Sequence, residues 1–171
     1  MLKIENISPG MLSHFQHCQC INQKYICTKG VWEIVAANEL REWNTEKRIR
    51  ITNYLQEQVA GGGSLIGAFF GDTLVGFCCM GGSLQGSAAK YANLTMLFVD
   101  DRFWRKGIGQ GLFQAICKCA LEKGAEKLFI SAIPSVETVA FYFSMGCTDA
   151  GEVIAGYIDT ENDRYLEYQL K

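Results

Sequence analysis

The stretch FVDDRFWRKGIGQGLF, residues 98–113, combines residue types that bind anions. Two cations, Arg105 and Lys106, stand directly before Gly107 and Gly109, where an apolar helical pattern begins. The first turn of a helix leaves backbone N–H groups without partners and carries a partial positive charge, and glycine lets a ligand approach the backbone closely. These features predict a site for a phosphate group, although an ordinary tight turn at the start of a helix would use the same residues.

Two common phosphate motifs are excluded at this stretch. The P-loop string G-x-x-x-x-G-K-S/T does not occur in the chain. The dinucleotide string G-x-G-x-x-G matches at Gly107 and Gly109 but fails because its third glycine position holds Leu112. The stretch therefore needs a different explanation from either nucleotide-binding motif.

The phenol of Tyr142 is the second candidate for chemistry. Ser135, Thr138 and Tyr142 follow one another at helical spacing, so they share one face of a predicted helix. The apolar face is formed by Val136, Val139, Ala140 and Phe143. This pattern predicts that Tyr142 points away from the main core, towards solvent or a ligand.

Histidines and cysteines near the N-terminus raise the alternative of a metal-dependent regulator. The group is His14, His17, Cys18, Cys20 and Cys27. Its spacing matches no C-x-x-C zinc pattern. Eight cysteines in a chain of 171 residues without a secretory signal also do not indicate a disulfide framework. We therefore expect no metal, and reduced thiols that are mostly buried.

Hydrophobic periodicity predicts the elements that must position these groups. Helices are expected over 11–20, 32–43, 107–123 and 136–145, with a further helix capped by Thr45 and ended by the glycines at 61–63. Strands are expected over 2–7, 65–70, 73–80, 91–99, 127–132, 153–158 and 165–170, with a hairpin turn at residues 71–72. A central strand–helix–strand unit implies one parallel crossover in a mostly antiparallel sheet. Residues 1–171 are expected to form a single α/β domain.

Composition argues against several classes of partner. The net charge is −2 and the pI is near 5.7, and the densest cationic run, at 47–50, lies in a helical pattern, so we expect no nucleic-acid partner. The N-terminus has no apolar signal region and the apolar runs are too short to span a bilayer. We therefore expect no membrane partner, a cytoplasmic location, and a monomer or a homodimer.

Residues 97–113 resemble the acetyl-coenzyme A motif of the GNAT N-acetyltransferase superfamily. That motif is a strand ending in valine, a short turn, and Q/R-x-x-G-x-G/A at the start of a helix. Leu97 and Val99 match the strand end, and the G-I-G core is matched at residues 107–109. Trp104 stands where the family has Arg or Gln.

Residues 135–147, SVETVAFYFSMGC, resemble the family's N-x-x-A-x-x-F-Y-x-x-x-G-F block. Phe141, Tyr142 and Gly146 match it. Ser135, Thr138 and Cys147 replace the usual Asn, Ala and Phe. The detailed resemblance covers residues 91–147, and the order of elements agrees over nearly the whole chain.

The resemblance implies a GNAT-like mixed, mostly antiparallel sheet of about six to seven strands with helices on both faces. It implies acetyl-coenzyme A as cosubstrate, with its pyrophosphate bound mainly by backbone N–H groups, including that of Trp104. Tyr142 would protonate the departing coenzyme A thiolate. The residues implied to bind the cosubstrate are Leu97, Phe98, Val99, Trp104, Arg105, Lys106, Gly107, Ile108, Gly109, Gln110 and Ser135.

The implied reaction is direct acetyl transfer to an amine of a small molecule, peptide or protein in a ternary complex. An amine with a pKa of about 10.4 must lose a proton before it attacks. The family often has a Glu on the preceding strand, but residues 91–96 contain no acid. Asn93 and Thr95 could position a water, and Glu39, Glu42 or a C-terminal acid could accept the proton instead. The missing strand acid and Trp104 leave a catalytically silent acyl-coenzyme A-binding module as a rival.

Acceptor specificity is expected from residues 20–45, 83–90 and 158–164. Trp32 and Trp43 could form an aromatic wall for the acceptor. Their helical spacing favours a place in a helix core.

Overall fold

The structure, a computed structural model, describes residues 1–4 and 7–171. Its strands are β1 (Leu2–Lys3), β2 (Cys18–Thr28), β3 (Val31–Glu42), β4 (Ser64–Phe70), β5 (Thr73–Gln85), β6 (Tyr91–Val99), β7 (Lys127–Ala132), β8 (Thr148–Asp149) and β9 (Arg164–Gln169). The α-helices are α1 (Thr45–Ala60), α2 (Ile108–Glu122) and α3 (Val136–Ser144). Short 3-10 helices cover Pro9–Leu12, Asp101–Phe103 and Ala155–Tyr157.

The main sheet has the strand order β1-β4-β5-β6-β7-β9-β8. Among the described strands, β6 and β7 are the only parallel neighbours, because the crossover through α2 returns the chain in the same direction. α1 packs on one face of the sheet, and α2 with part of α3 packs on the other. The predicted fold class is confirmed.

Alternate residues of the central strands enter different cores, which explains why these strands read as nearly continuous apolar runs. On β5, Phe77 and Cys79 face α1, whereas Cys78 and Met80 face α2. The apolar stripe of α2 that meets them consists of Leu112, Phe113, Ile116 and Ala120. No helix within the described residues is both long and apolar enough to cross a membrane.

The predicted helices over 11–20 and 32–43 are wrong. The chain instead forms a short 3-10 turn and then the antiparallel hairpin of β2 and β3. Lys29 and Gly30, with φ of 51° and 82°, form the two-residue turn between the strands. Such positive φ values match the twist of paired strands, and this turn allows a tight hairpin. The helical spacing of Trp32 through Trp43 was misleading, because much of β3 alternates between exposed and half-buried residues.

Three smaller predictions also need correction. Residues 153–158 contain the 3-10 helix Ala155–Tyr157 and not a strand. Asn44, and not Thr45, caps α1, since its Oδ1 accepts a hydrogen bond from the Lys47 N–H at 2.8 Å. Of the strand predicted at 2–7, β1 covers Leu2–Lys3, while residues 5 and 6 lie outside the described part.

The parallel pair of β6 and β7 is short. In the described structure it consists of three residue pairs, Tyr91–Lys127, Ala92–Leu128 and Asn93–Phe129. β6 nevertheless continues to Val99 and β7 to Ala132. We call the opening beyond the last pair the fork.

Candidate active site

The fork leaves one edge of β6 without a strand partner. Within residues 94–99, all but Thr95 pair with β5 on one side, and none has a ladder partner on the β7 side within the described chain. Backbone N–H and C=O groups need hydrogen-bond partners, so this edge can accept an extended ligand as a substitute strand. Leu97, Phe98 and Val99, which were predicted to bind the cosubstrate, lie on this edge.

A β-bulge marks the same level of β6. Cys79 pairs with Met96, whereas the next residue of β5, Met80, pairs with Leu94, so Thr95 is the extra residue. The Thr95 hydroxyl donates to the Cys79 carbonyl at 3.2 Å. A bulge bends the strand and redirects its backbone groups, as often happens beside active sites.

The glycine loop, residues 104–109, leads from β6 into α2. Gly107 is the N-cap of α2 in a left-handed conformation, with φ of 75°, and no side chain within the described residues caps the helix. Beyond its own residue and its chain neighbours, a Cβ on Gly107 would meet no described atom within 4 Å. The uncapped helix start is therefore uncrowded and lies next to the exposed cations Arg105 and Lys106, which suits a phosphate group.

Gly109 has a different role. A Cβ on this residue would lie 3.3 Å from Cε2 of Phe141 and 3.7 Å from Cγ2 of Val99. Because Gly109 has no side chain, α2 can pack closely against α3 and the end of β6. The neighbouring predicted residues differ in exposure, since Ile108 is half-buried and Gln110 is exposed.

The loop is anchored by the buried carboxylate of Asp100. It accepts hydrogen bonds from the backbone N–H of Gln16 at 2.9 Å and from the Arg102 guanidinium at 2.7 and 2.9 Å. Burial opposes its ionisation, but these hydrogen bonds outweigh burial and hold the pKa of Asp100 below its ordinary value. The charged form therefore fixes the start of the loop.

Trp104 is held by bonds within the loop. Its backbone N–H donates to the Asp101 carbonyl at 3.4 Å, and its indole N–H donates to the Val99 carbonyl at 2.9 Å. The first bond occupies the Trp104 N–H that was expected to bind pyrophosphate, and the second occupies the Val99 carbonyl at the end of β6. The 3.4 Å bond is long, so a ligand could replace it.

Tyr142 does not point away from the main core, which corrects the prediction from its helix face. It is 7% exposed, and its ring lies 6.2 Å from the ring of Phe113 and 5.2 Å from that of Phe141. Phe143, expected in the core, is 40% exposed instead. Burial raises the pKa of Tyr142 well above its ordinary value, so the phenol is protonated at neutral pH.

Ser135 is buried and fully engaged at the start of α3. Its Oγ accepts a hydrogen bond from the Thr138 N–H at 3.1 Å as the helix N-cap and another from Nε2 of Gln19 at 3.1 Å. Tyr25 of β2 also donates its N–H to the Pro134 carbonyl at 2.7 Å. The β2–β3 hairpin therefore covers this helix start, which the erroneous helix prediction could not anticipate.

A cavity of about 500 Å³ lies between this hairpin and the end of β7. The inner face of the hairpin forms one wall, and residues 133–135 and 160–163 form the other. Two of the three segments expected to select the acceptor, 20–45 and 158–164, thus meet here. Residues 83–90 do not line the cavity.

The His and Cys group near the N-terminus does not form a metal site in the described residues, where no group of three or more His, Cys, Asp or Glu side chains could hold an ion. His17 packs against Trp43 and Phe98, with ring centres 5.2 and 5.0 Å away, and burial lowers its pKa to about 4. The hairpin cysteines Cys18, Cys20 and Cys27 are exposed, contrary to the expectation of mostly buried thiols, whereas Cys78, Cys79 and Cys147 are buried.

The fold and the site together define a mixed α/β protein with a forked parallel strand pair beside an uncapped, glycine-started helix. Residues 28–146 match the family model described as the acetyltransferase (GNAT) family. Because this match covers most of the chain, the protein belongs to the GNAT acetyltransferase family. No curated protein sequence matched.

Solved structures support the same fold. Nourseothricin acetyltransferase is 15% identical, with 96% of each chain covered and a TM-score of 0.68. A candidate streptothricin acetyltransferase from Bacillus anthracis, with acetyl-coenzyme A bound, is 14% identical over 95% of this chain and 96% of that one, with a TM-score of 0.65. The PaiA N-acetyltransferase from Thermoplasma acidophilum, in complex with coenzyme A, is 19% identical over 73% and 77%, with a TM-score of 0.56. Acetyl-coenzyme A as cosubstrate is thereby confirmed at the level of the family.

Proposed function

We propose that this chain transfers the acetyl group of acetyl-coenzyme A to an amine of a small molecule, by direct transfer in a ternary complex. The observation that carries the proposal is the fork between β6 and β7 beside the open N-terminus of α2. The fork offers a slot for an extended chain, and the helix start offers N–H groups for its phosphates. The described residues therefore fit both parts of acetyl-coenzyme A.

Tyr142 is the proposed proton donor to the leaving sulfur. It belongs to the same core cluster as Leu94 and Ile130, which directly follow the last β6–β7 residue pair, where the fork begins. Burial raises its pKa, so the phenol is protonated at neutral pH and has a proton to donate to the leaving sulfur. Tyr142 then supplies the proton that coenzyme A needs in order to leave.

A small-molecule acceptor is favoured by the cavity between the β2–β3 hairpin and the end of β7. Its volume, about 500 Å³, is in the range of small-ligand pockets. Two structural neighbours that match this chain over 95–96% of its length are named as nourseothricin and streptothricin acetyltransferases. An aminoglycoside 6'-N-acetyltransferase also shares the fold, with a TM-score of 0.56 over 75% of this chain. We infer that the acceptor is a small molecule that fits a cavity of about 500 Å³ and has at least one primary amine.

A cytoplasmic location fits the thiols. Six cysteines, Cys18, Cys20, Cys27, Cys78, Cys79 and Cys147, carry no disulfide. Free thiols persist where the compartment is reducing. We therefore keep the cytoplasm as the proposed site of the reaction.

One second candidate function has specific support. The engaged N–H of Trp104 and the absence of an acid on β6 would also suit a module that binds acyl-coenzyme A without turning it over. Such a module would bind the cosubstrate and release no thiol.

The deciding experiment has two stages. Calorimetry with acetyl-coenzyme A tests binding, and a panel of primary amines, including aminoglycosides, a streptothricin and diamines, is then screened for thiol release and for acetylated product by mass spectrometry. Binding followed by acetylated amine supports the transferase. Binding without product from any amine supports the silent module, and absence of binding contradicts both.

A further inference from the structure

The charged residues that line the cavity are unevenly paired. On the hairpin wall, Glu39 accepts a hydrogen bond from the Lys24 ammonium at 2.6 Å and lies 3.6 Å from the Arg41 guanidinium. On the opposite wall, Glu161 and Asp163 form no ion pair with any cation of the described residues. This loop wall therefore carries negative charge that the described chain does not neutralise.

Asp163 is the buried acid of the loop wall. It is 7% exposed, and its carboxylate accepts hydrogen bonds from the Ser131 hydroxyl at 2.8 Å and from the Thr160 hydroxyl at 2.9 Å. Thr160 also lines the cavity, so this second bond holds the carboxylate at the cavity wall. Each carboxylate oxygen takes one of the two bonds, and each keeps a lone pair for a further donor.

A buried carboxylate without a cation invites a cationic ligand. Taking an ionised carboxylate out of water carries a large desolvation cost, which neutral hydroxyl donors offset only in part. An ammonium or guanidinium group in the cavity would supply the missing counter-charge through charge-assisted hydrogen bonds to Asp163. Exposed Glu161 on the same wall adds to the negative potential that attracts such a group.

The cationic group that suits Asp163 differs from the amine that reacts. The reacting amine must be neutral when it attacks, whereas a neighbouring carboxylate favours the charged ammonium. Hydrogen bonds from two hydroxyls also favour the ionised form of a carboxylate, which suits a permanent counter-ion better than a proton acceptor. The cavity, at about 500 Å³, has room for a molecule with a second charged group.

We propose that the Asp163 carboxylate binds a second, non-reacting cationic group of the acceptor, so that the preferred acceptors are diamines or polyamines and not molecules with a single amine. The inference rests on the proposed acetyl transfer and names the substrate class of that same site. The lysine and arginine of the hairpin wall are drawn to Glu39, which leaves the loop wall to the substrate.

Three matched series of acceptors test the proposal on the wild type. Linear diamines from diaminobutane to diaminooctane are compared with chains of the same lengths in which a hydroxyl or a carboxylate replaces the second amine. Only the charge at the far end then changes. The value of kcat/KM should be about tenfold or more higher for the best diamine than for its amino alcohol, and lowest for the amino carboxylate. High salt should reduce this preference.

Asp163→Asn removes the charge with little change of shape. KM for the best acceptor of the whole amine panel should rise about tenfold or more, while kcat changes much less and acetyl-coenzyme A binding in calorimetry stays as in the wild type. The preference for a diamine over its amino alcohol should disappear. Asp72→Asn, the same change at the exposed β4–β5 turn, should retain wild-type kinetics.

The outcomes separate the substrate class from the transferase assignment. If the wild type acetylates amines but its best acceptor has a single amine, the role of Asp163 is overturned and the transferase assignment stands. The same holds if Asp163→Asn leaves KM unchanged, or if it lowers kcat alone, which would place Asp163 in proton transfer. If the wild type acetylates no amine, the transferase proposal itself fails.

Two further results are decisive. A preference for the amino carboxylate would assign the second group of the acceptor to Arg41 and Lys24 and overturn the proposal. If Asp163→Asn does not fold, the wild-type comparison of diamine with amino alcohol decides. Where no linear amine reacts, KM of Asp163→Asn with the best acceptor decides instead.

Discussion

The guanidinium of Arg164 lies 4.8 Å from the ring centre of Trp32 and 4.7 Å from that of Tyr25. On its other edge it forms two hydrogen bonds with Asp149, at 2.7 and 2.8 Å. Arg164 belongs to β9 and both aromatic rings belong to the β2–β3 hairpin. One buried cation therefore ties the hairpin that walls the cavity to the main sheet.

Replacing Arg164 with lysine should loosen the hairpin. Lysine keeps the charge but loses the planar group that stacks on the rings and forms the paired bonds with Asp149. We expect the free energy of unfolding to fall by about 1–2 kcal/mol in chemical denaturation. Arg50→Lys, at an exposed helix position paired with Glu46, should change it little, and equal effects of the two variants would contradict this role.

Charge at the start of α2 should control cosubstrate affinity. Gly107→Asn and Gly107→Asp introduce side chains of nearly equal shape, and both residue types tolerate positive φ better than most. Only the aspartate adds negative charge where the phosphates are expected. Its affinity for acetyl-coenzyme A should be at least about tenfold lower than that of the asparagine variant, about 1.4 kcal/mol in calorimetry.

The difference between the two Gly107 variants should shrink in high salt, because the site is open and its electrostatics are screened. If Gly107→Asn and Gly107→Asp bind acetyl-coenzyme A with equal affinity at low salt, the glycine loop is not part of the binding site. Gly109→Glu is a poorer probe, since its Cβ would press on Phe141 and confound charge with packing.

Tyr142→Phe separates chemistry from packing. The phenol is surrounded by rings and thiols, so the ring can stay in place while the proton is lost. We expect kcat to fall by roughly 10²-fold, with acetyl-coenzyme A affinity and Tm almost unchanged. Tyr168→Phe, in the same aromatic cluster, is the matched control. Wild-type kcat in Tyr142→Phe would assign thiolate protonation to water or another group.

His17 should make stability depend on pH. Its pKa is about 4 in the folded chain because of burial, against about 6.5 when unfolded. Protonation therefore favours the unfolded chain, so the contribution is complete above about pH 6.5 and is lost as pH falls towards 4. The shift corresponds to about 3 kcal/mol, which Asp101, 3.6 Å from Nδ1, would reduce by attracting the charged ring.

The measurement is the free energy of unfolding between pH 7 and pH 4 for the wild type and His17→Phe. His17→Phe should lose less stability over this range than the wild type, because it lacks the buried imidazole. Parallel curves for the wild type and His17→Phe would show that His17 does not titrate in this way.

Local patterns predicted the parts of the site that are continuous in sequence. The apolar stripe of α2 and the glycines before it located the loop, and the turn at residues 71–72 located the β4–β5 hairpin. Tyr142 was found by its motif but assigned to the wrong face, because Phe143 is the more apolar neighbour and yet lies on the exposed side. Propensity alone does not decide which of two adjacent aromatics meets Phe113.

Long-range contacts explain what the sequence could not predict. The β2–β3 hairpin is held by Arg164, Ser135 and Pro134, which lie far along the chain. The Ser131 network depends on two side chains that meet only after β7 and β9 have paired. No local spacing of residues signals either arrangement.

The three pairs between β6 and β7 make the main sheet two panels, β1-β4-β5-β6 and β7-β9-β8, joined by a narrow seam. A ligand lying in the fork would contact both β6 and β7 and so extend the connection between the two halves of the sheet. Binding should therefore slow hydrogen exchange of the amides at 94–99 much more than of those paired between β4 and β5. The melting temperature should also rise with acetyl-coenzyme A concentration, because the ligand binds only the folded protein, in which both halves of the sheet are formed.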